Sequence, residues 1–222
     1  MINCQGITDL VSALAKLHRD AVIRTALELL NEVGEEGLTT RRLAERLGVQ
    51  QPALYWHFKN KRVLLDALAE TIFAEHHDYA LPRAGENWRH FLIENAHSFR
   101  RALLTYRDGA RIHAGTRPNN NQMGQAEAQI EFLIQAGFTP VNAARVLISI
   151  SHYVVGAALE QQADFHESTP SDEANIEATS TIAKAMATLD AEGPEKLFDF
   201  GLMLLIDGLE RYQRPKGQDL LI

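Results

Sequence analysis

The chain has 222 residues, of which 45% are hydrophobic and 23% charged, a balance typical of a soluble globular protein with a core of its own. Its single cysteine, Cys4, excludes a disulfide framework within one chain and favours a reducing compartment, so we expect a cytoplasmic protein. The net charge of −7 argues against binding nucleic acid with the whole surface. No apolar run approaches the roughly 18 residues of a membrane span, so we expect no membrane partner.

The hydrophobic spacing predicts helices along most of the chain. The first covers 20–33 and stops at Gly34, and two short helices follow on either side of Gly48. Longer helices are predicted over 61–77, 88–104, 123–136, 140–162, 176–189 and 194–212. Turn residues separate them at 81–85, at 108–109 and at 116–121, and residues 164–180 read as an exposed polar loop. Since no segment alternates with a period of two for long, we expect an all-α fold.

The last helix is apolar on more of its surface than a small domain can cover. Its apolar positions are Leu197, Phe198, Phe200, Leu202, Met203, Leu205, Ile206 and Leu209. Two readings stay open at roughly even odds: a plain intrachain core, or a dimer interface in which a helix pair from each subunit forms a four-helix bundle.

The segment 38–61, LTTRRLAERLGVQQPALYWHFKNK, is typical of a helix-turn-helix that reads DNA. Gln51 can bond adenine, Arg41 can reach guanine, and Pro52 and Ala53 can contact a thymine methyl group. The donors that suit phosphate oxygens are Thr40, Tyr55, Trp56, His57 and Lys61. The alternative is a generic helix pair with an aromatic core.

Charge is distributed unevenly in a way that agrees with a small DNA-binding head. Residues 19–62 carry a net charge of +2, and the rest of the chain carries −9. That asymmetry is expected where only one small region meets phosphates, although many enzymes show comparable swings.

Several strings resemble the tetracycline repressor family. They are LELLNEVGEEGLTTRRLAERLGVQQPALYWHFKNK, LLDAL, NWRHFL, SFRRALL, YRDGARIHAGTRP and SHYVVGAALEQQ. The first string alone indicates only the large family, whereas HAGTRP together with ALEQQ is similar to the members that respond to tetracycline.

The resemblance implies an all-helical homodimer that represses transcription from a palindromic operator. It implies a helix-turn-helix head over 17–62 and a larger helical core over 63–222 that binds ligand and dimerises. Tetracycline chelating Mg²⁺ would enter the core and release the operator DNA. Residues 1–16 then form an N-terminal extension ahead of the head, and residues 1–13 are the part that precedes LAKLHR at 14–19, which resembles the usual opening of the family.

The resemblance also implies roles for individual side chains in the core. His113 would be the one direct protein ligand to Mg²⁺, while Thr116 and Glu160 would hold metal-bound waters, the glutamate coming from the other subunit. The remaining residues expected at the drug are His77, Asn95, Phe99, Arg117, Pro118, Gln129, Ala144, Leu147, His152 and Leu189. Without the resemblance, His113 would more readily be read as a turn or core histidine.

Some positions depart from the family pattern and leave alternatives open. Ala144 stands where several members have leucine, and Ala53 stands where some have threonine, so ligand and half-site preference can differ. A repressor that senses another lipophilic compound is the first alternative. An enzyme using the histidines and Glu160 is the second, although no HExxH, phosphate-loop or nucleophile motif is present.

Overall fold

The computed structural model describes residues 18–114, 116, 120–164 and 180–213. Within these residues the secondary structure is helical, apart from an isolated bridge between Phe138 and Gln213. The all-α fold expected from the sequence is confirmed. The predicted extension at 1–16, Arg117, Pro118 and most of the loop at 164–180 lie outside the described residues.

The described helices follow most of the predicted ones, but the helix at Gly109–Ala114 was not predicted, and a single kinked helix covers most of the two predicted over 176–189 and 194–212. They are α1 (Arg19–Gly37), α2 (Thr40–Leu47), α3 (Gln51–Leu54), α4 (Lys61–His76), α5 (Trp88–Leu104), α6 (Gly109–Ala114), α7 (Asn120–Gln135), α8 (Pro140–Asp164) and α9 (Thr181–Leu209), which a 3₁₀ turn Glu210–Tyr212 follows. Asn120 and Asn121 begin α7, although they were expected in the preceding turn.

The chain divides into two compact units. The described part of the first consists of 18–77 and 101–116, and that of the second consists of 78–100, 120–164 and 180–213. Helix α5 contributes residues to both. The domain boundary between residues 62 and 63 stays a prediction, because these units group residues by contact and not by independent folding.

Local sequence signals begin and end the short helices of the first unit. The Thr39 Oγ1 accepts a hydrogen bond from the Arg42 N–H (3.2 Å) at the start of α2, and the Asn60 Oδ1 accepts one from the Val63 N–H (2.9 Å) at the start of α4. Gly48 ends α2 in the left-handed region at φ 68°, where a glycine costs little. Gly48 therefore sets the turn between α2 and α3, while Thr39 and Asn60 determine where α2 and α4 begin.

A core of buried apolar side chains holds the first unit together. Leu54 of α3 and Phe58 just beyond it belong to this core, at 2% and 4% exposure. The other buried members are Val22, Ile23, Ala26, Leu27, Leu29, Leu30, Leu38, Leu43, Ala44, Leu64, Ala67, Leu68, Ala69, Ile72, Ala102 and Ile112. Because α3 has only four residues, this burial and not helix propensity holds it in place.

Helix α1 is kinked at Gly34, against the segment that leads into α6. Gly34 adopts φ 70° and ψ 177°, a conformation that favours glycine. The next amide, that of Glu35, donates to the Asp108 Oδ2 (2.7 Å). Asp108 is itself buried at φ 58°. The two unusual backbone conformations therefore meet at one hydrogen bond.

In the second unit α8 packs against α7 and α9. Helix α9 is kinked at Gly193 (φ 79°), directly before Pro194. The buried Arg100 of α5 donates to the Glu195 carboxylate (2.6 and 2.7 Å) and to the Gln161 Oε1 (2.6 Å), and its guanidinium lies 4.7 Å from the Phe198 ring centroid. One buried cation therefore joins α5, α8 and α9.

One described helix, at Pro140–Ala163, is long and apolar enough to cross a membrane by length and composition alone. Its mean hydropathy of 1.2 is low for a span, and the core helix of a soluble protein passes the same test. Only 28% of the tested window is buried, so an apolar surface of this helix stays uncovered in one chain.

We expect Gly34→Ala to destabilise the first unit by about 2 kcal/mol or more, because the change adds backbone strain and a clash. A Cβ at this position would lie 2.7 Å from the Asp108 Oδ2 and 3.1 Å from the Arg107 Nε. Gly85→Ala is the matched control, since Gly85 also has a positive φ (74°) but no atom within 4 Å of the added Cβ. Gly85→Ala should lower the free energy of unfolding, measured in urea, by about 1 kcal/mol. An equal loss of unfolding free energy in the two variants would contradict the predicted clash at position 34.

Candidate DNA interface and ligand-binding residues

The segment predicted to read DNA presents most of its polar and aromatic side chains outward. Pro52, Tyr55 and Trp56 are exposed, with 83% of Trp56 accessible. Gln51 and Ala53 are half-buried. His57 is half-buried as well. A fully exposed tryptophan at the end of α3 is available for a partner.

The Gln51 side chain is held in place by two other residues predicted to contact DNA. Its Nε2 donates to the Thr40 Oγ1 (2.8 Å) and to the Tyr55 hydroxyl (3.3 Å). The start of α2 is thereby connected to α3. This network limits the rotamers of Gln51 before any partner binds, which lowers the entropy cost of making a contact.

The two predicted cationic contacts differ in their partners. The Arg41 Nε lies 3.0 Å from the Glu45 Oε1, and both side chains are largely exposed, so the pair is weak and easily exchanged for a phosphate or a base. The Lys61 Nζ donates to the Glu35 main-chain oxygen (2.7 Å), which ties the start of α4 to α1. Lys61 therefore also has a structural role.

His113 lies on α6, with its ring 4.7 Å from the Phe73 ring of α4 at an interplanar angle of 65°. Burial lowers the pKa of His113 to about 4, so the imidazole is neutral near pH 7. Thr116 is bonded to the same residue, since its N–H and its hydroxyl both donate to the His113 main-chain oxygen (2.9 and 2.8 Å). His77 is the residue that ends α4.

These donors fit a metal ion that arrives with other ligands. A neutral imidazole can offer one nitrogen to a metal, and the Thr116 hydroxyl next to it can bond a metal-bound water. Among the residues that the structure describes, no group of three or more His, Cys, Asp or Glu side chains could hold an ion. Since Mg²⁺ prefers six oxygen ligands, most of its ligands would have to come from a bound molecule and from water.

In the second unit the structure brings two predicted ligand contacts to one stretch of main chain. The Asn95 Nδ2 donates to the Tyr79 main-chain oxygen (2.8 Å), and the Gln129 Nε2 donates to the Ala80 main-chain oxygen (2.6 Å). Phe99 lies one turn beyond Asn95 on α5 and is half-buried. The two amides therefore converge, although 34 positions separate them in the chain.

The remaining predicted contacts of the second unit lie on α8 and α9. Ala144 and Leu147 are half-buried on α8, where His152 and Glu160 are exposed. Leu189 is half-buried on the part of α9 that precedes the kink. An exposed Glu160 is free to face another chain.

Sequence reasoning missed two residues that contact the predicted ones. Phe73 packs on His113, and Ser98 bonds the same main-chain residue as Asn95. A signal for Ser98 was available: it stands among the buried apolar positions of α5, where a hydroxyl requires a hydrogen-bond partner. Phe73 carries no such signal, because an apolar residue at helical spacing indicates only burial.

Comparison with protein families assigns both parts of the chain. Residues 22–68 match the model for bacterial regulatory proteins of the tetR family, and residues 81–212 match the model for the tetracyclin repressor-like C-terminal domain. The chain therefore belongs to the tetR family of regulatory proteins. Members of this family are DNA-binding regulators and not enzymes, so the enzyme alternative is not supported.

Individual relatives are similar over nearly the whole chain. The class C tetracycline repressor of Escherichia coli is 57% identical over 88% of this chain and 92% of that protein. The crystal structure of TetR from Acinetobacter baumannii AYE superposes with a TM-score of 0.79 at 55% identity, over 90% of this chain and all of that one. Class A TetR in complex with 5a,6-anhydrotetracycline and magnesium superposes with a TM-score of 0.73 at 52% identity, over 89% of this chain and all of that one.

The lowered pKa of His113 predicts an acid-sensitive stability in metal-free protein. As the pH falls below 6.5 the unfolded chain binds this proton first, so the free energy of unfolding decreases until the pH reaches about 4. We expect the loss between pH 7 and pH 5 to be about 2 kcal/mol smaller in His113→Gln, measured by urea unfolding. Parallel losses in both proteins would show that His113 titrates normally.

Proposed function

We propose that this protein is a transcriptional repressor that binds a palindromic operator as a homodimer and releases it when Mg²⁺–tetracycline binds, thereby controlling a tetracycline resistance gene. The observation that carries the proposal is the 57% identity to a tetracycline repressor over 92% of that protein, which includes both the head and the core. The protein acts in the cytoplasm, where the operator is. A sensor of a different lipophilic compound is not favoured by these similarities.

Operator reading is assigned to α3 and the start of α2. Gln51 and Arg41 contact base edges, with Pro52 and Ala53 beside a thymine methyl group. The Tyr55 hydroxyl, Trp56 and His57 face phosphates, together with Thr40 and Lys61. The exposure of Trp56 and the network that orients Gln51 support this assignment.

Dimerisation through α8 and α9 is supported by the apolar side chains that one chain leaves exposed. On α9 Leu197, Phe200 and Leu204 are 55%, 66% and 61% exposed at helical spacing, and on α8 Val141 and Ile148 are 58% and 54% exposed. A contiguous apolar surface of this kind requires a partner. Two helices from each subunit can cover it as a four-helix bundle, which also gives the two-fold symmetry that a palindrome needs.

Drug binding is assigned to the larger helical core, and Mg²⁺ arrives with the drug. His113 is the direct protein ligand, and Thr116 and the partner's copy of Glu160 bond metal-bound water. When bound, the ion would supply the positive charge that holds the drug's oxygens at this residue. The other contacts are His77, Asn95, Phe99, Arg117, Pro118, Gln129, Ala144, Leu147, His152 and Leu189.

Release of the operator requires that drug binding favours a second arrangement of the head. His113 packs on Phe73 near the end of α4, and the Lys61 Nζ at the start of α4 is bonded to α1. A displacement of α6 is therefore passed along α4 to the head, where it changes the spacing of the two α3 helices in the dimer. Near-complete release needs a coupling of roughly 5 kcal/mol.

Gln51→Ala tests the reading of DNA. The change should weaken operator binding by about 1–3 kcal/mol and relax the preference at one base pair in each half-site. The measurement is fluorescence anisotropy with the operator and with single-base variants at fixed salt. Gln135→Ala, which changes an exposed glutamine at the end of α7, is the matched control and should bind the operator like the unaltered protein. If Gln51→Ala weakened binding equally to the operator and to all its single-base variants, Gln51 would contact phosphates and not a base.

His113→Ala tests the switch. The variant should bind the operator normally, but at least tenfold more tetracycline should be needed to release it in the presence of Mg²⁺. Chelating the Mg²⁺ should raise the required concentration for the unaltered protein and change little for the variant. His97→Ala, which also removes a half-buried ring, is the control for lost packing. Normal release from His113→Ala would contradict the metal assignment.

A further inference from the structure

Both main-chain groups of Tyr79 are bonded by one face of α5. The Tyr79 N–H donates to the Ser98 Oγ (3.0 Å), and the Tyr79 main-chain oxygen accepts from the Asn95 Nδ2 (2.8 Å). Asn95 and Ser98 are three positions apart, so they are neighbours on one helix face. The Ser98 hydroxyl also donates to the Asp78 Oδ1 (2.8 Å). Ser98 is fully buried, and losing these bonds would leave polar groups without partners in the interior.

The side chain of Tyr79 anchors the same segment. It is 7% exposed, and its hydroxyl donates to the Glu86 carboxylate (2.5 Å). The guanidinium of Arg83 lies 4.0 Å from the centroid of its ring. The Arg83 N–H donates to the other Glu86 oxygen (2.8 Å), which closes the loop between α4 and α5 on itself. The Tyr79–Ala80 main chain is therefore a rigid element against α5.

Bonding to a main-chain oxygen determines which way a side-chain amide faces. A carboxamide has two N–H donors on one side and an acceptor oxygen on the other. If Asn95 or Gln129 flipped, its oxygen would face the carbonyl oxygen of Tyr79 or Ala80, and two acceptors would repel each other.

We propose that Ser98 and the Tyr79–Ala80 main chain are the positioning elements of the drug site, because they fix the orientation of the Asn95 and Gln129 amides. The inference rests on the proposed function, which assigns these two amides to the polar edge of the ligand. It adds what fixes their orientation: the main-chain oxygens of Tyr79 and Ala80 accept from the two amides, and the Ser98 hydroxyl holds the Tyr79 N–H. Ser98 acts through the amides and not by touching the ligand.

Ser98→Ala tests this inference. Tetracycline binding with Mg²⁺, followed by the fluorescence of the drug, should weaken by about tenfold, because the amides lose their fixed orientation. Operator affinity without drug should stay within twofold. Thr105→Ala is the matched control, since Thr105 lies just beyond α5 and its hydroxyl donates to the Arg101 main-chain oxygen four positions earlier; this variant should bind the drug normally.

A mutant cycle separates positioning from general packing. In a chain that carries Asn95→Ala and Gln129→Ala, adding Ser98→Ala should change drug affinity less than twofold, because no amide is left to orient. A further tenfold loss in that chain, or no loss in the single variant, would overturn the inference. Tyr79→Phe removes only the bond to Glu86 and serves if Ser98→Ala does not fold. Tyr79→Phe alone should weaken drug binding by about threefold. In the chain that carries Asn95→Ala and Gln129→Ala it should have no further effect on drug affinity.

The proposed function and this inference fail differently. If the unaltered protein does not bind Mg²⁺–tetracycline, the drug assignment itself is wrong. If the unaltered protein binds and releases its operator while Ser98→Ala does the same at equal drug concentrations, only the positioning inference is wrong.

Discussion

The DNA-facing surface depends on the burial of two side chains. Helix α3 has four residues, too few to be stable alone, and Leu54 and Phe58 hold it against the core of the first unit. Removing these two anchors from water contributes roughly 2 kcal/mol each. Gln51 and Trp56 are exposed or half-exposed because the neighbouring positions are buried. The hydrophobic packing of Leu54 and Phe58 thus places the side chains that are expected to contact DNA on the surface.

Polar groups that folding buries are bonded between distant segments, and these bonds lie where the proposed switch must act. The Asp108 carboxylate accepts a hydrogen bond from the Glu35 N–H next to the kink of α1, and the Ser98 Oγ accepts one from the Tyr79 N–H. Leaving such a donor unbonded costs about 1–3 kcal/mol, so each bond restricts how its segment can move. Segments held in this way move as units, which suits a protein that must change between two discrete arrangements.

Desolvation prepares the site for a metal without supplying the rest of its ligands. Burial against Phe73 keeps the His113 ring neutral near pH 7, and a neutral imidazole can coordinate an ion without first losing a proton. One nitrogen is a poor site for Mg²⁺ on its own. In the proposed function, affinity for the ion therefore depends on the drug, and the sensor responds to the complex of both.

The sequence by itself determined the helices, their ends and the family. Helical periodicity and the caps at Thr39, Gly48 and Asn60 involve residues within about four positions, so they can be read directly from the chain. Only the tertiary structure decided how the candidate site is held. The amides of Asn95 and Gln129 bond main-chain oxygens 16 and 49 positions away, and no local pattern encodes such partners. Candidate residues of the site could thus be proposed from the sequence, whereas their orientation follows from packing that brings distant segments together.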